Sequence, residues 1–458
     1  MPEITASTAL TKLRPLTTIA LAVAVLFVAD CQAACAQNNG DIAKARSEAQ
    51  KLEKPLYRDF EKAESDYRKN LKRSFGRIIL QGTPNRGLGE TQLDAGIKHH
   101  LYMLTNPKLG LPELQKMRST FMKVIDKSGT TIQGARQASK HQDLVFGLTT
   151  KYCEELLGGN YYVRIQAIKI LSSMGAKPSV GKQVPYVGSK ATLLKVARTS
   201  QFQEMRLHAM AGLARLIKAD VLKKPGEMEI AVVLAEELKK PGLPNGAYHL
   251  LAGWLHSVKN TFEIRGNQSP VAIVALLQSM NDESRSWIAR ARAARALGST
   301  GDVRAGIKWP LLAWKVAQFA HDAAVEFKNQ GGRKVSNPID QAAMLDIFLA
   351  FTPPNQAALE AGEGLLNRSD GPIVKGAYDR IRPLAAGALD GGIDDKDIKA
   401  LADWLKANQP TERSYHSQAP PLPEKMGKMK DGDKAEMDGV GNTQNDQGKS
   451  DGLLPGNN

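Results

Sequence analysis

The sequence predicts an all-α fold: an α-solenoid of helical hairpins with an N-terminal helical region and a disordered C-terminal tail. One motif recurs, with an apolar residue, an adjacent Arg, an Ala four residues later and a Leu eight residues later. It starts at Val163, Met205 and Ala289, which are 42 and 84 residues apart. A weaker copy starts at Ala247 and completes this 42-residue register, although Tyr248 replaces the Arg.

The motif has the spacing of a helix. Positions i, i+4 and i+8 lie on one helical face, so Val163, Ala167 and Leu171 should form a buried stripe with Arg164 at its edge. No stretch shows the period-two alternation of half-buried strands, and Gly or Pro marks most corners between segments. Each motif helix should therefore pair with a preceding helix, predicted at residues 143–157, 191–198, 227–239 and 271–280.

The register loosens after residue 302. Apolar spacing still predicts helices at residues 309–328, 339–350, 372–388 and 395–406. About six hairpins result, the last of them degenerate, as the end units of repeat arrays usually are. The predicted array spans residues 142–407.

The N-terminal helical region is placed at residues 37–141. Residues 41–73 have the apolar spacing of one charged helix, and residues 91–125 are helical in character with breaks near Pro107 and Pro112. Residues 81–90 are rich in Gly and Pro and are predicted to form a loop. That loop lacks the Lys-Ser/Thr pair of a phosphate-binding loop, which argues against nucleotide binding there.

The first 36 residues resemble a secretory signal peptide. A short basic region precedes an apolar run over residues 16–29, and Ala34-Cys35-Ala36 has the small-x-small form of a cleavage site. The chain is therefore expected to be exported, periplasmic or extracellular after cleavage near Ala36. No later segment is apolar enough to be predicted as a membrane span.

Two alternatives to cleavage remain open. The apolar run could be a membrane anchor, but it is shorter than the roughly 20 residues of a span. Lipid could instead be attached at Cys31 or Cys35, although the flanking residues suit that poorly. After cleavage Cys153 is the only cysteine, so no intramolecular disulfide is expected, and its amphipathic context predicts a buried thiol.

Charge is distributed unevenly along the chain. Its net charge is +15, residues 1–36 are neutral, and residues 408–458 carry −2, so residues 37–407 carry +17. An excess of this kind favours acidic partners. Residues 408–458 are also poor in large apolar side chains, which predicts a disordered tail.

The motif in hairpins of about 42 residues resembles the HEAT repeat, most clearly in the unit that starts at Ala289. The resemblance implies that Arg164, Arg206 and Arg290 form a structural ladder that bridges neighbouring hairpins through hydrogen bonds to turn acids or carbonyls. It also implies a scaffold that binds other proteins; a minority of such proteins bind nucleic acids or are enzymes.

No motif assigns chemistry to the chain. Its eight His residues form no Cys/His metal pattern, and no metalloprotease, haem-attachment or nucleophile-elbow motif is present. We therefore predict no catalytic, cofactor-binding or metal-binding residue and expect a protein that is not an enzyme.

A polar, partly basic strip is the remaining candidate site. If the second helices line the concave side, as the resemblance implies, the strip contains Gln166, Lys169, His208, Arg292 and Arg295. It could bind a protein partner or a polyanion such as nucleic acid or an acidic envelope polymer, it could contribute to an enzyme groove, or it could simply be a solvated face.

Overall fold

The architecture is all-α, as predicted. The computed structural model describes residues 65, 67, 74–82, 86–106, 108–176, 183–258, 262–264, 267–300, 306–331, 337–353, 362–369, 371–411, 414 and 415. Within these ranges, sixteen α-helices account for almost all of the regular structure. None of them is both long and apolar enough to cross a membrane. The predicted signal peptide and most of the helix predicted at 41–73 lie outside the described residues.

The helices are named in chain order. The first eight are α1 Phe75–Gln81, α2 Arg86–Tyr102, α3 Leu111–Ile125, α4 Ala135–Leu156, α5 Tyr161–Ser173, α6 Lys190–Thr199, α7 Gln203–Lys218 and α8 Lys224–Leu238. The next eight are α9 Asn245–Leu255, α10 Val271–Asn281, α11 Trp287–Ser299, α12 Trp309–Gly331, α13 Pro338–Phe348, α14 Leu365–Arg368, α15 Pro372–Leu389 and α16 Asp395–Ala407.

The four predicted hairpins are present as packed helix pairs: α4 with α5, α6 with α7, α8 with α9, and α10 with α11. The second helices also pack in succession, α5 on α7, α7 on α9, α9 on α11 and α11 on α13. The stripe Val163, Ala167 and Leu171 is buried, and so are its counterparts in the other three units. The side chain of Asn160 caps α5 by accepting a hydrogen bond from the Val163 amide at 3.0 Å.

Close backbone approach accompanies this packing. A Cβ atom at Gly212 on α7 would lie 2.7 Å from the Cα atom of Ser172 on α5, so no larger residue fits without a shift. The Ser172 hydroxyl donates a hydrogen bond to the His208 carbonyl at 2.8 Å. These contacts hold the polar faces of α5 and α7 side by side.

The N-terminal helices belong to the same unit as the hairpins. α2 packs on α4, and α3 packs on α5. The predicted boundary at 141/142 lies within α4, which begins at Ala135. The predicted loop at 81–90 is also too long, since α2 already begins at Arg86.

Two further differences concern short features. The sequence did not predict the two antiparallel ribbons, Gly175–Ala176 with Val184–Pro185 and Phe262–Ile264 with Asn267–Ser269. Their strands of two or three residues are too short to show alternation. The fold also extends past the predicted boundary at residue 408, because Tyr415 is buried and its carbonyl accepts a hydrogen bond from the Lys308 amide at 2.8 Å. Residues 416–458 lie outside the described residues.

Candidate functional site

The motif Arg residues bond to the turns that precede their helices. Arg164 Nε donates to the Gly159 carbonyl at 2.8 Å, and Arg290 Nε donates to the Met280 carbonyl at 2.8 Å. The guanidinium of Arg164 also lies over the ring of Phe202, at the start of the next second helix, with 5.7 Å to the centroid. Arg164 therefore ties its helix to the preceding turn, and Arg290 ties its helix to the last turn of α10.

Arg206 makes the strongest link to a following hairpin. Its Nε lies 2.9 and 3.1 Å from the two carboxylate oxygens of Glu237 on α8, and its Nη1 donates to the Ser200 carbonyl at 3.0 Å. Arg290 contacts the next helix differently, over the ring of Phe319 on α12 with 5.0 Å to the centroid. This geometry places all three Arg residues in structural contacts between units.

The unit without a motif Arg receives one from its neighbour. Arg285 precedes α11, and its guanidinium lies over the ring of Tyr248, 4.6 Å from the centroid. Its Nη1 donates to the Leu243 carbonyl in the turn of the third hairpin, and its Nε donates to Asp282 at 3.1 Å. Arg285 thus occupies the role that Tyr248 cannot fill, and sequence reasoning missed it because it lies outside the motif.

Arg292 and Arg295 are not a free basic surface. Both point from α11 to Asp346 on α13, with Nη1 atoms 3.2 and 2.8 Å from Oδ1. Burial alone would raise the pKa of Asp346, but the two guanidinium groups outweigh that effect and hold its pKa below the usual range. We name Arg292, Arg295 and Asp346 the Asp346 triad. Two of the five predicted strip residues therefore serve an ion-pair network inside the fold.

His249 on α9 lies beside this triad. Burial, followed by repulsion from Arg292, lowers the pKa of His249 to about 4. The imidazole is therefore neutral near pH 7 and adds no charge to the strip. At the register positions equivalent to Arg292 and Arg295, α9 carries Leu250 and Gly253, so the strip is interrupted between its two ends.

The other end of the strip forms a cation cluster at the junction of three helices. The charges of Arg118 from α3 and Glu204 from α7 act on Lys169 on α5 and on His208 on α7. We call these four residues the Lys169 cluster. No hydrogen bond or ion pair within the described part of the chain engages the Lys169 ammonium or the Arg118 guanidinium.

Burial and mutual repulsion both act on this cluster. Burial lowers the pKa of Arg118, and burial together with the charge of Arg118 lowers the pKa of Lys169. Burial, followed by Lys169, also lowers the pKa of His208, against the opposing charge of Glu204. One carboxylate therefore compensates two permanent cations, and it already accepts a hydrogen bond from the Tyr161 hydroxyl.

Gln166 corrects the sequence-based expectation. We expected it on an accessible strip, but its side chain is fully buried, with 0% exposure, and neither amide atom has a hydrogen-bond partner among the residues that the structure describes. Gln166, one helical turn from Lys169, is therefore inaccessible to solvent. A partner cannot contact Gln166 in this conformation.

Replacing Gln166 with Met should leave the protein as stable as the wild type or more stable by about 1–2 kcal/mol, because a buried unpaired amide carries a desolvation penalty. Urea denaturation followed by circular dichroism measures the change. Thr149→Val is the control, since the Thr149 hydroxyl is buried but donates to Val145 at 2.8 Å. It should show no such gain. A loss above about 2 kcal/mol in Gln166→Met would mean that the amide has a partner.

Sequence reasoning missed three residues at these sites. Arg118 and Asp346 lie outside the motif helices. Arg118 belongs to a segment without the 42-residue register, and Asp346 belongs to one where that register loosens. Glu204 lies one residue before the motif that starts at Met205, and the motif does not include that position. Within the described ranges, no three His, Cys, Asp or Glu side chains are grouped as metal ligands.

Comparison with protein-family models gives no match to the chain, and comparison with curated proteins also gives none.

Proposed function

We propose that the protein is an exported, non-enzymatic scaffold of HEAT-like α-solenoid type that binds a protein partner through the Lys169 cluster. The order in which the second helices pack, each on the next, supports the solenoid. The basic and apolar pattern of residues 1–36 supports export.

One observation carries the binding proposal. Two half-buried cations are involved: the charge of Arg118 lowers the pKa of Lys169, and neither side chain has a hydrogen-bonded or ion-paired partner among the described residues. Partial burial of like charges is unfavourable in the free protein, and an acidic group from a partner would relieve it. Binding energy would thus come from removing a repulsion that the fold maintains.

A polyanion is the less favoured partner. Such a ligand needs a continuous track of cations along which successive charges are neutralised. Asp346 already neutralises part of the Arg292 end, and α9 contributes Leu250 and Gly253 in between. The compact Lys169 cluster suits a local acidic segment of a protein better.

A charge reversal tests this proposal. The variant Arg118→Glu/Lys169→Glu should bind the partner at least about tenfold more weakly than wild type, because attraction to an acidic segment becomes repulsion. Proteins that co-purify with the wild type from envelope extracts would be identified by mass spectrometry. Their dissociation constants for wild type and variant would then be measured.

The control is Lys195→Glu/Lys218→Glu, which makes the same change in net charge at two exposed positions of α6 and α7. It should retain the partner. Circular dichroism would establish that both variants are folded. Equal partner binding by wild type and Arg118→Glu/Lys169→Glu would overturn the assignment of the binding site.

A further inference from the structure

We propose that the groove between α6 and α8 is a binding site for a phosphate dianion, either free or carried by a small organic molecule. The groove involves other helices than the Lys169 cluster, which belongs to α3, α5 and α7. A ligand of this kind is therefore a second one, beside the protein partner.

The groove has a volume of about 360 Å³, which is within the range of small-molecule sites. Ala191 and Leu194 give it apolar surface. Its charged side chains are Lys190, Lys195 and Arg198 from α6 and Glu229 from α8. Positions 190, 194 and 198 lie on one face of α6, and positions 191, 195 and 199 lie beside them, because residues four apart in a helix share a face. A single helix therefore supplies all three cations.

Glu229 holds two of these cations in place. Its Oε2 accepts a hydrogen bond from Lys190 Nζ at 2.9 Å, and its Oε1 accepts one from Arg198 Nη1 at 3.2 Å. Sharing one carboxylate brings the ends of both side chains together, although they start two helical turns apart on α6. Among the described residues, neither cation makes a further hydrogen bond, and an ammonium has three N–H groups and a guanidinium five. The pair is therefore preorganised to donate to a second anion.

The charge of the groove favours a dianion. Lys190, Lys195 and Arg198 supply three positive charges and Glu229 supplies one negative charge, so the lining side chains carry +2 near pH 7. The hydrogen bond from Lys190 lowers the pKa of Glu229, which keeps this carboxylate ionised at about pH 5 and above. A phosphate dianion therefore neutralises the groove, whereas a carboxylate leaves one positive charge without compensation.

The ligand, rather than the protein, makes binding depend on pH. Lys and Arg side chains stay positively charged and Glu229 stays negatively charged between about pH 5 and about pH 7.5. The second pKa of a phosphate monoester is about 6, so the dianion is the minor form at the lower pH and the major form at the higher pH. Affinity should therefore rise about tenfold between these two pH values.

The experiment uses small probes and the full chain. Isothermal titration calorimetry in a dilute buffer without phosphate would measure dissociation constants at about pH 5 and about pH 7.5. The probes are phenyl phosphate, phenylacetate, which offers a similar ring with a single charge, and inorganic phosphate. Lys195→Met and Arg198→Met are the variants, and Lys218→Met, at an exposed position of α7, is the control. Circular dichroism would establish that all three are folded.

We expect phenyl phosphate to bind at about pH 7.5 with a dissociation constant of about 1 mM or less, and more tightly than phenylacetate. Its affinity should be about tenfold lower at about pH 5. Binding should weaken about fivefold or more in Lys195→Met and in Arg198→Met, and should be unchanged in Lys218→Met. The tighter ligand of phenyl phosphate and inorganic phosphate shows whether an ester or the free ion supplies the group.

Three results would overturn the proposal: no binding of either phosphate at about 10 mM, equal affinity for phenylacetate and phenyl phosphate at about pH 7.5, or unchanged binding in both Met variants. One further variant separates this site from the partner site. Lys195→Glu/Lys218→Glu should lose phenyl phosphate while it retains the protein partner. Unweakened phenyl phosphate binding in that variant would overturn the groove assignment and leave the proposed scaffold function standing.

Discussion

A Gly298→Ala variant is expected to lose about 4 kcal/mol or more of unfolding free energy. Gly298 lies in the last turn of α11, and a Cβ atom there would be 2.0 Å from the Ala350 carbonyl oxygen. The neighbouring backbone cannot easily move away. The same Ala350 oxygen accepts from the Leu365 amide at 2.9 Å, and the Gly298 carbonyl accepts from the Gly364 amide at 3.0 Å.

The matched control is Gly147→Ala, in the interior of α4. The nearest atom to its new Cβ would be the Tyr186 hydroxyl oxygen at 3.8 Å, an ordinary contact. This variant should be unchanged or stabilised by up to about 1 kcal/mol, because Ala favours the helix more than Gly does. Urea denaturation of both variants measures the difference. A Gly298→Ala protein within about 1 kcal/mol of wild type would show that the contact is absent.

The four helix pairs between residues 135 and 299 could be predicted because their signals are local. A spacing of four residues places Val163, Ala167 and Leu171 on one face whatever the rest of the chain does. The same register found Ala247 although its unit lacks the Arg. Even there, the register identified the missing contact but not its replacement, since Arg285 reaches Tyr248 across a turn whose path depends on the packed neighbour.

The candidate site was predicted less well, because exposure of a polar helix face depends on what packs against it. Gln166 and Lys169 are one helical turn apart on α5, and α3 packs on α5. α3 comes from a segment without the 42-residue register, so the sequence did not show that it would pack on α5 and bring Arg118 there. Asp346, 54 residues after Arg292, is likewise placed only by tertiary packing.

The Asp346 triad gives the second large effect. An Asp346→Ala variant is expected to lose about 3 kcal/mol of unfolding free energy, because the partly buried Arg292 and Arg295 would lose their shared counter-charge. Asp346 is 7% exposed, so water cannot replace it easily. Urea denaturation near pH 7 measures the loss. The triple variant Asp346→Leu/Arg292→Met/Arg295→Met should recover most of it, since no unpaired charge remains.

Glu229 provides a control, because it also pairs with two cations but its carboxylate is more exposed than that of Asp346. It lies 2.9 Å from Lys190 and 3.2 Å from Arg198, and its side chain is 37% exposed. Glu229→Ala should cost no more than about 1 kcal/mol, because an ion pair made by an exposed carboxylate contributes little to stability. Equal losses for Glu229→Ala and Asp346→Ala would contradict the importance of burial.

Acid provides an independent check on the Asp346 triad. The pKa of Asp346 is lower in the folded protein than its usual value, so its stabilising contribution is complete above the unfolded pKa of about 3.9 and disappears as the pH falls through the folded pKa. The difference in stability between wild type and Asp346→Ala should therefore be constant from about pH 7 to about pH 5 and shrink below about pH 4. A difference that persisted in full after Asp346 had been protonated would mean that lost packing, rather than lost charge, destabilises the variant.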